Sequence, residues 1–571
     1  MVATQPTAWP NTASASQEQR PASALRSPEF WLFRRWPLPV VLSAAVVAFA
    51  SSLVAAVVDS EPLVVAAVGA TVFLLGVVPV RGSGIPAHIG ARARYQWNRR
   101  HLRTTRYHPP FDIAQPDLDG SQYGIRWDGD CLLTMLRIDG PARGVNLLGP
   151  GVLTTENAVP LDEIARCLTQ FDIGLDAIDV NCVGGRATGE GGPIARLYSQ
   201  VLGPLPSPSW LTVWLTLRLN PLTNAEAIAG RGGGEAGMTR TAAIATCRVA
   251  NRLAARGLEV TVLTAHEIDR AVRHLADGVR GESLVEHWRG AEQDGIHLTT
   301  YELDSARLDS AALAEVWTVA SVSTTLMLRL RPAPLAGGRE GDFALTTLVR
   351  FNTRQPLEHP PMPGLRPLAG NQYRALVATL PLTTQKFGPP TSVCFGPAQS
   401  LAALAVPSSG VGQLIGADDL GRGVAIPVVA PGLRRVEIIG VPLAQQVLLR
   451  ALAAGARVLV YTSRPDAWHS LVSGVAEPAA LSLAGAAGSA QIAPNVIVYD
   501  GVPPTAHASQ ATTVHVHPSG TAPRYPDAEV TLTQSEAANI VTIRTPTGST
   551  TVRMISIADE MRYLTSAFTH D

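Results

Sequence analysis

Lysine is all but absent from this chain of 571 residues: of 46 basic residues only Lys386 is not an arginine, and 46 acidic residues cancel them. Zero net charge gives no global field for wrapping nucleic acid, so any electrostatics that matter are local. The arginine bias points to GC-rich coding rather than to guanidinium chemistry at each site. Paired cysteines are also missing. Cys131, Cys167, Cys182, Cys247 and Cys394 stand singly, without the C-x-x-C spacing of a zinc site or a disulfide framework, and read as small buried residues in a reducing compartment. No G-x-x-x-x-G-K-[ST] occurs, and Lys386 follows no glycine loop, which excludes a P-loop ATPase. G-x-S-x-G, H-E-x-x-H and a cysteine with a local histidine base are absent too. The residues therefore name no catalytic group, no cofactor and no metal ligand.

Long uncharged runs are present near the N-terminus. Leu38 to Val58 carries no charge over 21 residues, and after a turn at Asp59-Ser60-Glu61-Pro62 a second run of 18 extends from Leu63 to Val80. At 1.5 Å per residue each is expected to span a hydrocarbon core, as an antiparallel transmembrane hairpin over 38–80. Arg34 and Arg35 precede the first run, the turn carries only acids, and Arg81, Arg92, Arg94, Arg99, Arg100, Arg103 and Arg106 follow the second with no Asp or Glu before Phe111. This asymmetry predicts a plasma-membrane protein with two spans and both termini cytoplasmic, with Trp31 and Trp36 as interfacial anchors. A cleaved signal peptide does not fit, because about 30 mostly polar residues precede the first run. Ala44, Ala48, Ser52 and Ala56 recur every four residues, a small-residue stripe that would let another helix approach, although an Ala-rich helix produces such stripes by chance. The basic stretch from 81 to 111 reads as a flank facing anionic lipid, with a partner-docking helix as the alternative and nucleic acid the weakest reading.

The remaining mass is expected in α+β and α/β cytoplasmic domains. Alternating runs around Asp128-Gly129 predict a hairpin over Gln122–Ile138. A helix at Leu161–Phe171, strands at Ala177–Cys182 and Trp210–Leu219, a helix at Met238–Arg256 and a strand at Leu258–Leu263 follow. This β-α-β-β-α-β order predicts a ferredoxin-like lobe within a domain over 121–355, to which a weaker α+β rhythm over His297–Asn352 adds a second lobe or an extension. Five prolines between Pro356 and Pro367 mark a linker or ordered extended loop over 356–390. Beyond it, RRVEII, Leu443–Ala454 and RVLVY form a βαβ unit, so 391–571 is expected as a Rossmann-like domain. Residues 1–37 are left as a cytoplasmic tail.

Four further features bear on chemistry. The turn after Ile439 reads Gly440-Val441-Pro442 and lacks the later glycines and one N–H that a pyrophosphate needs. A literal G-x-G-x-x-G at Gly232, Gly234 and Gly237 follows a helical rather than a strand-like segment, so a surface loop is the better reading. His515 and His517 share a strand face with workable ligand spacing but no acid or cysteine beside them, and read as a polar strand face. Asp418-Asp419 fits a cation or partner site and an Asx-rich turn equally well.

Taken together, several of these segments resemble the EccE family, a membrane component of the bacterial type VII secretion system. The resemblance rests on the N-terminal double run, the hairpin Tyr123-Gly124-Ile125-Arg126-Trp127-Asp128-Gly129, PLDEIARCLTQFDIGLDAIDV from Pro160 and WLTVWLTLRLNPL from Trp210. The glycine-rich loop into TAAIATCRVANRLAARG, LIGADDLGRGVAIP from Leu414 and GSTTVRMISIADEMRYL from Gly548 complete it. It implies a non-catalytic structural and assembly subunit of a plasma-membrane (ESX) complex, with the other membrane subunits EccB, EccC and EccD and membrane lipid as partners. The alternative is a membrane-tethered enzyme or sensor whose Rossmann-like domain binds a nucleotide or sugar-nucleotide.

Overall fold

The computed structural model describes residues 38–58 and 61–77, a few positions between 79 and 96, Leu25, and residues 108–564 with short internal gaps. Helices α1 (Leu38–Val57) and α2 (Pro62–Val77) pack against each other. Small residues make the contact: Ala44 and Ala48 are buried, the Ser52 hydroxyl donates to Val65 O at 3.4 Å, and Gly69 leaves the space that this hydroxyl fills. Ala56 is exposed. Among the described residues no helix is long and apolar enough to cross a membrane, which corrects the expected two-helix transmembrane hairpin. α2 stops at Val77 after 16 residues and so reaches about 24 Å against a core of about 30 Å.

The body is built on two large sheets rather than on a lobe, a linker and a Rossmann-like domain in series. In the first sheet, strands β1 (Phe111–Ala114), β2 (Gln122–Trp127) and β3 (Leu132–Asp139) form one side, the last two joined by the tight Asp128-Gly129 turn. The chain then leaves for the second sheet through β4 (Asn146–Gly149) and β5 (Val152–Thr154), and returns through helix α3 (Leu161–Arg166) and strand β6 (Ala177–Gly185). Helix α4 (Pro193–Leu202), strand β7 (Trp210–Leu219), helix α5 (Gly234–Ala254), strand β8 (Glu259–Val262) and helix α6 (Ala265–Ala276) follow. Strands β6, β7, β3 and β8 lie side by side and antiparallel, which is the strand order of a split β-α-β unit.

That unit is not a free-standing lobe. β6 also pairs with β12 (Ser323–Pro332), and through β13 (Asp342–Thr353), β11 (Ile296–Leu303), β10 (Ala291–Gln293) and β9 (Val285–Glu286) the sheet runs on to its far edge. With β14 (Leu365–Pro367) on β11 and β15 (Cys394–Pro397) on β13 it reaches 13 strands. The proline-rich stretch thus supplies an edge strand and leads into helix α7 (Gln372–Ala378), whose buried side lies on β11.

The second sheet has 12 strands. It begins with the hairpin β16 (Gln413–Ala417) and β17 (Gly423–Ile426), and β17 pairs with β4 from the first half of the chain. Strand β18 (Arg435–Ile439) leads into helix α8 (Val441–Ala453), then β19 (Val458–Thr462), helix α9 (Pro465–Val475) and β20 (Leu481–Leu483). Strands β21 (Val496–Asp500), β22 (Thr512–His517) and β23 (Val530–Gln534) complete a parallel region, and the hairpin β24 (Ile540–Thr545) and β25 (Gly548–Met554) ties it to β16 before helix α10 (Ala558–Leu564).

The parallel order is β20-β19-β21-β22-β18-β23. A Rossmann-like order would place β18 beside β19; instead β18 lies between β22 and β23, and α8 carries the chain across two strands. This corrects the expected Rossmann-like domain. The inward face of Val436, Ile438, Val458, Val460, Val498, Val514 and Leu532 packs on α8 and Trp468. Every side chain from Leu443 to Ala453 is buried, because α8 is covered by the sheet on one side and by α4 on the other.

Candidate functional site

Charged residues inside apolar strands mark the most constrained part of the molecule. Asp179 on β6 lies opposite Arg329 on β12 and diagonal to Arg218 on β7, and all three are buried. Asp179 accepts from Arg329 Nε at 2.6 Å, from its second nitrogen at 2.9 Å and from Arg218 Nε at 3.0 Å. Arg218 extends the network to Asp128 at 2.7 Å, and the other Asp128 oxygen accepts from the backbone of Asp130 and Cys131, closing the turn. Burial alone would raise the Asp179 pKa, but the two guanidiniums overcome it and hold the carboxyl down at about 2.

Beside this network Trp127, Asp128, Asp130, Cys131, Asp176, Asn220, Leu222 and Met238 line a cleft of about 520 Å³. Burial, then the charges of Asp128 and Asp176, pushes the Cys131 thiol up to about 12, so it stays protonated at neutral pH and is a poor nucleophile. Leu222 and, on the neighbouring Thr169–Gly174 hairpin, Phe171 stand almost fully exposed, with the Arg248 guanidinium 5.2 Å from the Phe171 ring centre. Asn224 fastens the two loops together by bonds of 2.8 Å in both directions with Gly174. An acidic cleft rimmed by exposed apolar side chains is a surface suited to recognition.

Part of this region is also matched by a family model. The family model described as "Putative type VII ESX secretion system translocon, EccE" matches residues 208–303, which take in β7, the Asn220–Asn224 loop, α5 and β8. The chain is similar to the EccE family of type VII secretion. It is similar to the ESX-2 secretion system protein EccE2 of Mycobacterium tuberculosis, with 27% identity over 383 residues, 65% of this chain and 66% of that protein. It is similar also to the ESX-5 secretion system protein EccE5 of Mycobacterium marinum, at 27% over 46% of this chain and 65% of that one. With the ESX-1 secretion system protein EccE1 of Mycolicibacterium smegmatis it shares 28% over 34% of this chain and 41% of that one. The matches therefore span 66, 65 and 41% of these relatives' lengths, less than two thirds of each.

In this chain the glycine motifs and Asp418 have structural occupations. Gly440 adopts φ 119°, and the Gln534 side chain fills the space where a Cβ would stand, 2.7 Å from Oε1, so the start of α8 is plugged by the protein itself. Gly232 and Gly234 take positive φ in the turn into α5, and Gly237 lets α5 approach Ile228 of the preceding short helix, where a Cβ would lie 2.6 Å from a carbonyl oxygen. Asp418 spends its carboxylate on Leu420 N, Arg422 N and Arg422 Nε at 2.8–3.0 Å, closing an Asx turn.

His515 and His517 lie on the outward face of β22. Tyr461, Tyr499, His515 and Tyr525 stack in series with ring centres 5.5, 5.5 and 4.2 Å apart, and His517 Nε2 is 3.2 Å from the buried Glu437. Burial first, then Arg435, lowers the His515 pKa to about 4. Among the described residues no group of His, Cys, Asp and Glu could hold a metal ion.

Of the basic flank, Arg34, Arg35, Arg81, Arg94, Arg99, Arg100, Arg103 and Arg106 lie outside the described residues. Arg92 is described, with its guanidinium over the Trp288 ring. Sequence reasoning missed Asp179, Arg218 and Arg329. The signal was there: a single charge inside AIDV, TLRL and LMLRL has to be paired once those strands are buried.

Proposed function

We propose that this chain is a non-catalytic structural and assembly subunit of a type VII secretion complex at the bacterial plasma membrane, positioning the other membrane subunits, EccB, EccC and EccD. Similarity to the EccE family supports a role in type VII secretion. The observation that carries the assembly role is the apolar helix pair: Phe49, Val54, Leu63 and Leu74 are 73, 65, 80 and 62% exposed. An apolar surface of that kind is stable only when lipid or another protein covers it. The arginines that follow the pair supply a basic flank for anionic headgroups, and the acidic cleft with Leu222 and Phe171 at its rim offers a second, polar contact. Affinity purification of the full chain in mild detergent, with the other membrane subunits expressed beside it, tests the reading. The subunits are expected to co-purify with it; a chain that ran only as a free species would overturn the assignment.

A further inference from the structure

Trp288 sits half-buried in the Glu286–Gly290 turn of the β9–β10 hairpin, at the outer edge of the 13-stranded sheet. The body holds this indole from one side. Gly370, at φ +74°, has no Cβ to strike the ring, 2.6 Å from where one would stand, and its N–H donates to Trp288 O at 2.8 Å. Glu286 is fixed likewise, accepting from Tyr373 N at 2.9 Å. The platform is therefore prepared by the first sheet alone.

Its other side is taken by the basic stretch that follows the apolar helix pair. Tyr95 meets the Trp288 ring edge-on with centres 5.6 Å apart, and its hydroxyl donates to Glu286 O at 3.0 Å. Arg92 places its guanidinium 5.3 Å from the same ring centre. The hydroxyl bond, the aromatic contact and the cation–π contact together hold Arg92 and Tyr95 on the hairpin.

We infer that Arg92 and Tyr95 form an intramolecular strap: docked on Trp288 and Glu286, they tether the apolar helix pair to the first sheet. The 15 residues from Val77 to Arg92 cannot exceed about 50 Å when fully extended, so the pair is confined to that distance from Trp288. Arg92 accordingly faces protein rather than lipid, whatever the other arginines of the flank do.

Hydrogen–deuterium exchange on the full chain in mild detergent tests the strap. In Tyr95→Ala the amides of 285–290 should exchange at least tenfold faster than in the wild type while those of 177–185, in the sheet centre, keep their rate; Tyr95→Phe, which loses the hydroxyl and keeps the ring, should fall between. Trp288→Ala should speed exchange over 92–96. Should Trp288→Ala disrupt the turn itself, Tyr95→Ala still decides, since it leaves the platform intact. Unchanged exchange at 285–290 in Tyr95→Ala would overturn the inference.

Discussion

Replacing Asp179 with alanine removes the one carboxylate that Arg329 holds. Arg218 keeps Asp128 at 2.7 Å, but among the described residues Arg329 retains only the Ala378 carbonyl at 3.3 Å, and both guanidiniums stay buried. Breaking a buried pair from one side typically costs about 3–5 kcal/mol, most of it the penalty of an uncompensated charge. Taking Arg329 to methionine in the same background removes that charge, so the double variant should be more stable than Asp179→Ala alone. Urea denaturation followed by circular dichroism measures this. With m of about 3 kcal/mol per molar, the single variant should unfold about 1 M or more earlier. The pH dependence has a fixed sign: the carboxyl titrates at about 2 when folded against 3.8 when free, so its contribution is full above 3.8 and is lost as pH falls towards 2. The reasoning is refuted if Asp179→Ala costs under about 1 kcal/mol, or if Arg329→Met adds to its cost instead of relieving it.

Three other perturbations probe separate parts of the fold. Arg450 is buried, bonds Glu560 at 2.7 and 2.8 Å and also donates to Ile555 O; Arg450→Met should destabilise by about 3–5 kcal/mol, with exchange protection lost first over α10. Gly124 lies under the start of α6, where a Cβ would stand 2.5 Å from the Thr264 backbone, so Gly124→Ala should lower stability by about 1–3 kcal/mol in thermal unfolding. His515 titrates at about 4 when folded against 6.5 when free, so the unfolded chain binds the extra proton and stability should fall as pH drops from 6.5 to 4. His515→Phe, which keeps the stack, should flatten that slope; an unchanged slope would place the titration elsewhere.

The local elements were legible because each carries its own chemistry. Asp128-Gly129 specifies a tight turn whatever surrounds it, and the alternation in β2 and β3 does the rest. The split β-α-β order could likewise be read from the alternation of strand and helix segments. What could not be read is adjacency. Nothing in RRVEII or RVLVY says that two strands from later in the chain insert between them, because a parallel strand buried on one face looks the same beside any partner. The short runs at Asn146–Gly149 and Val152–Thr154 were passed over for the same reason: as a hairpin of 4 and 3 residues they are too small to declare themselves, and only pairing with β17 gives them a sheet. Among the site residues the two histidines were placed correctly on one face. The buried Asp179 network was missed because a search for catalytic spacing passes over charges that exist to satisfy one another.

The sheets also show why the proline-rich stretch is a poor place to divide the molecule. β4 and β5 belong by sequence to the first half and by pairing to the second sheet, whereas β15, from beyond the prolines, closes on β13 of the first. Each half thus supplies strands to the other. The same exchange appears in the core, where α8 of the second half is covered by α4 of the first, with Thr188 N donating to Ala453 O at 2.7 Å and Leu414 N donating to the Tyr198 hydroxyl at 3.0 Å. Separating the halves would expose a helix buried on every side and leave short strands unpaired, so load applied to one sheet passes to the other through shared strands rather than through a hinge. For a subunit proposed to position its neighbours, that sharing of strands is the useful property: it joins the cleft beside Asp128 and the parallel sheet in one body, so a partner bound at the first would be held in register with the second.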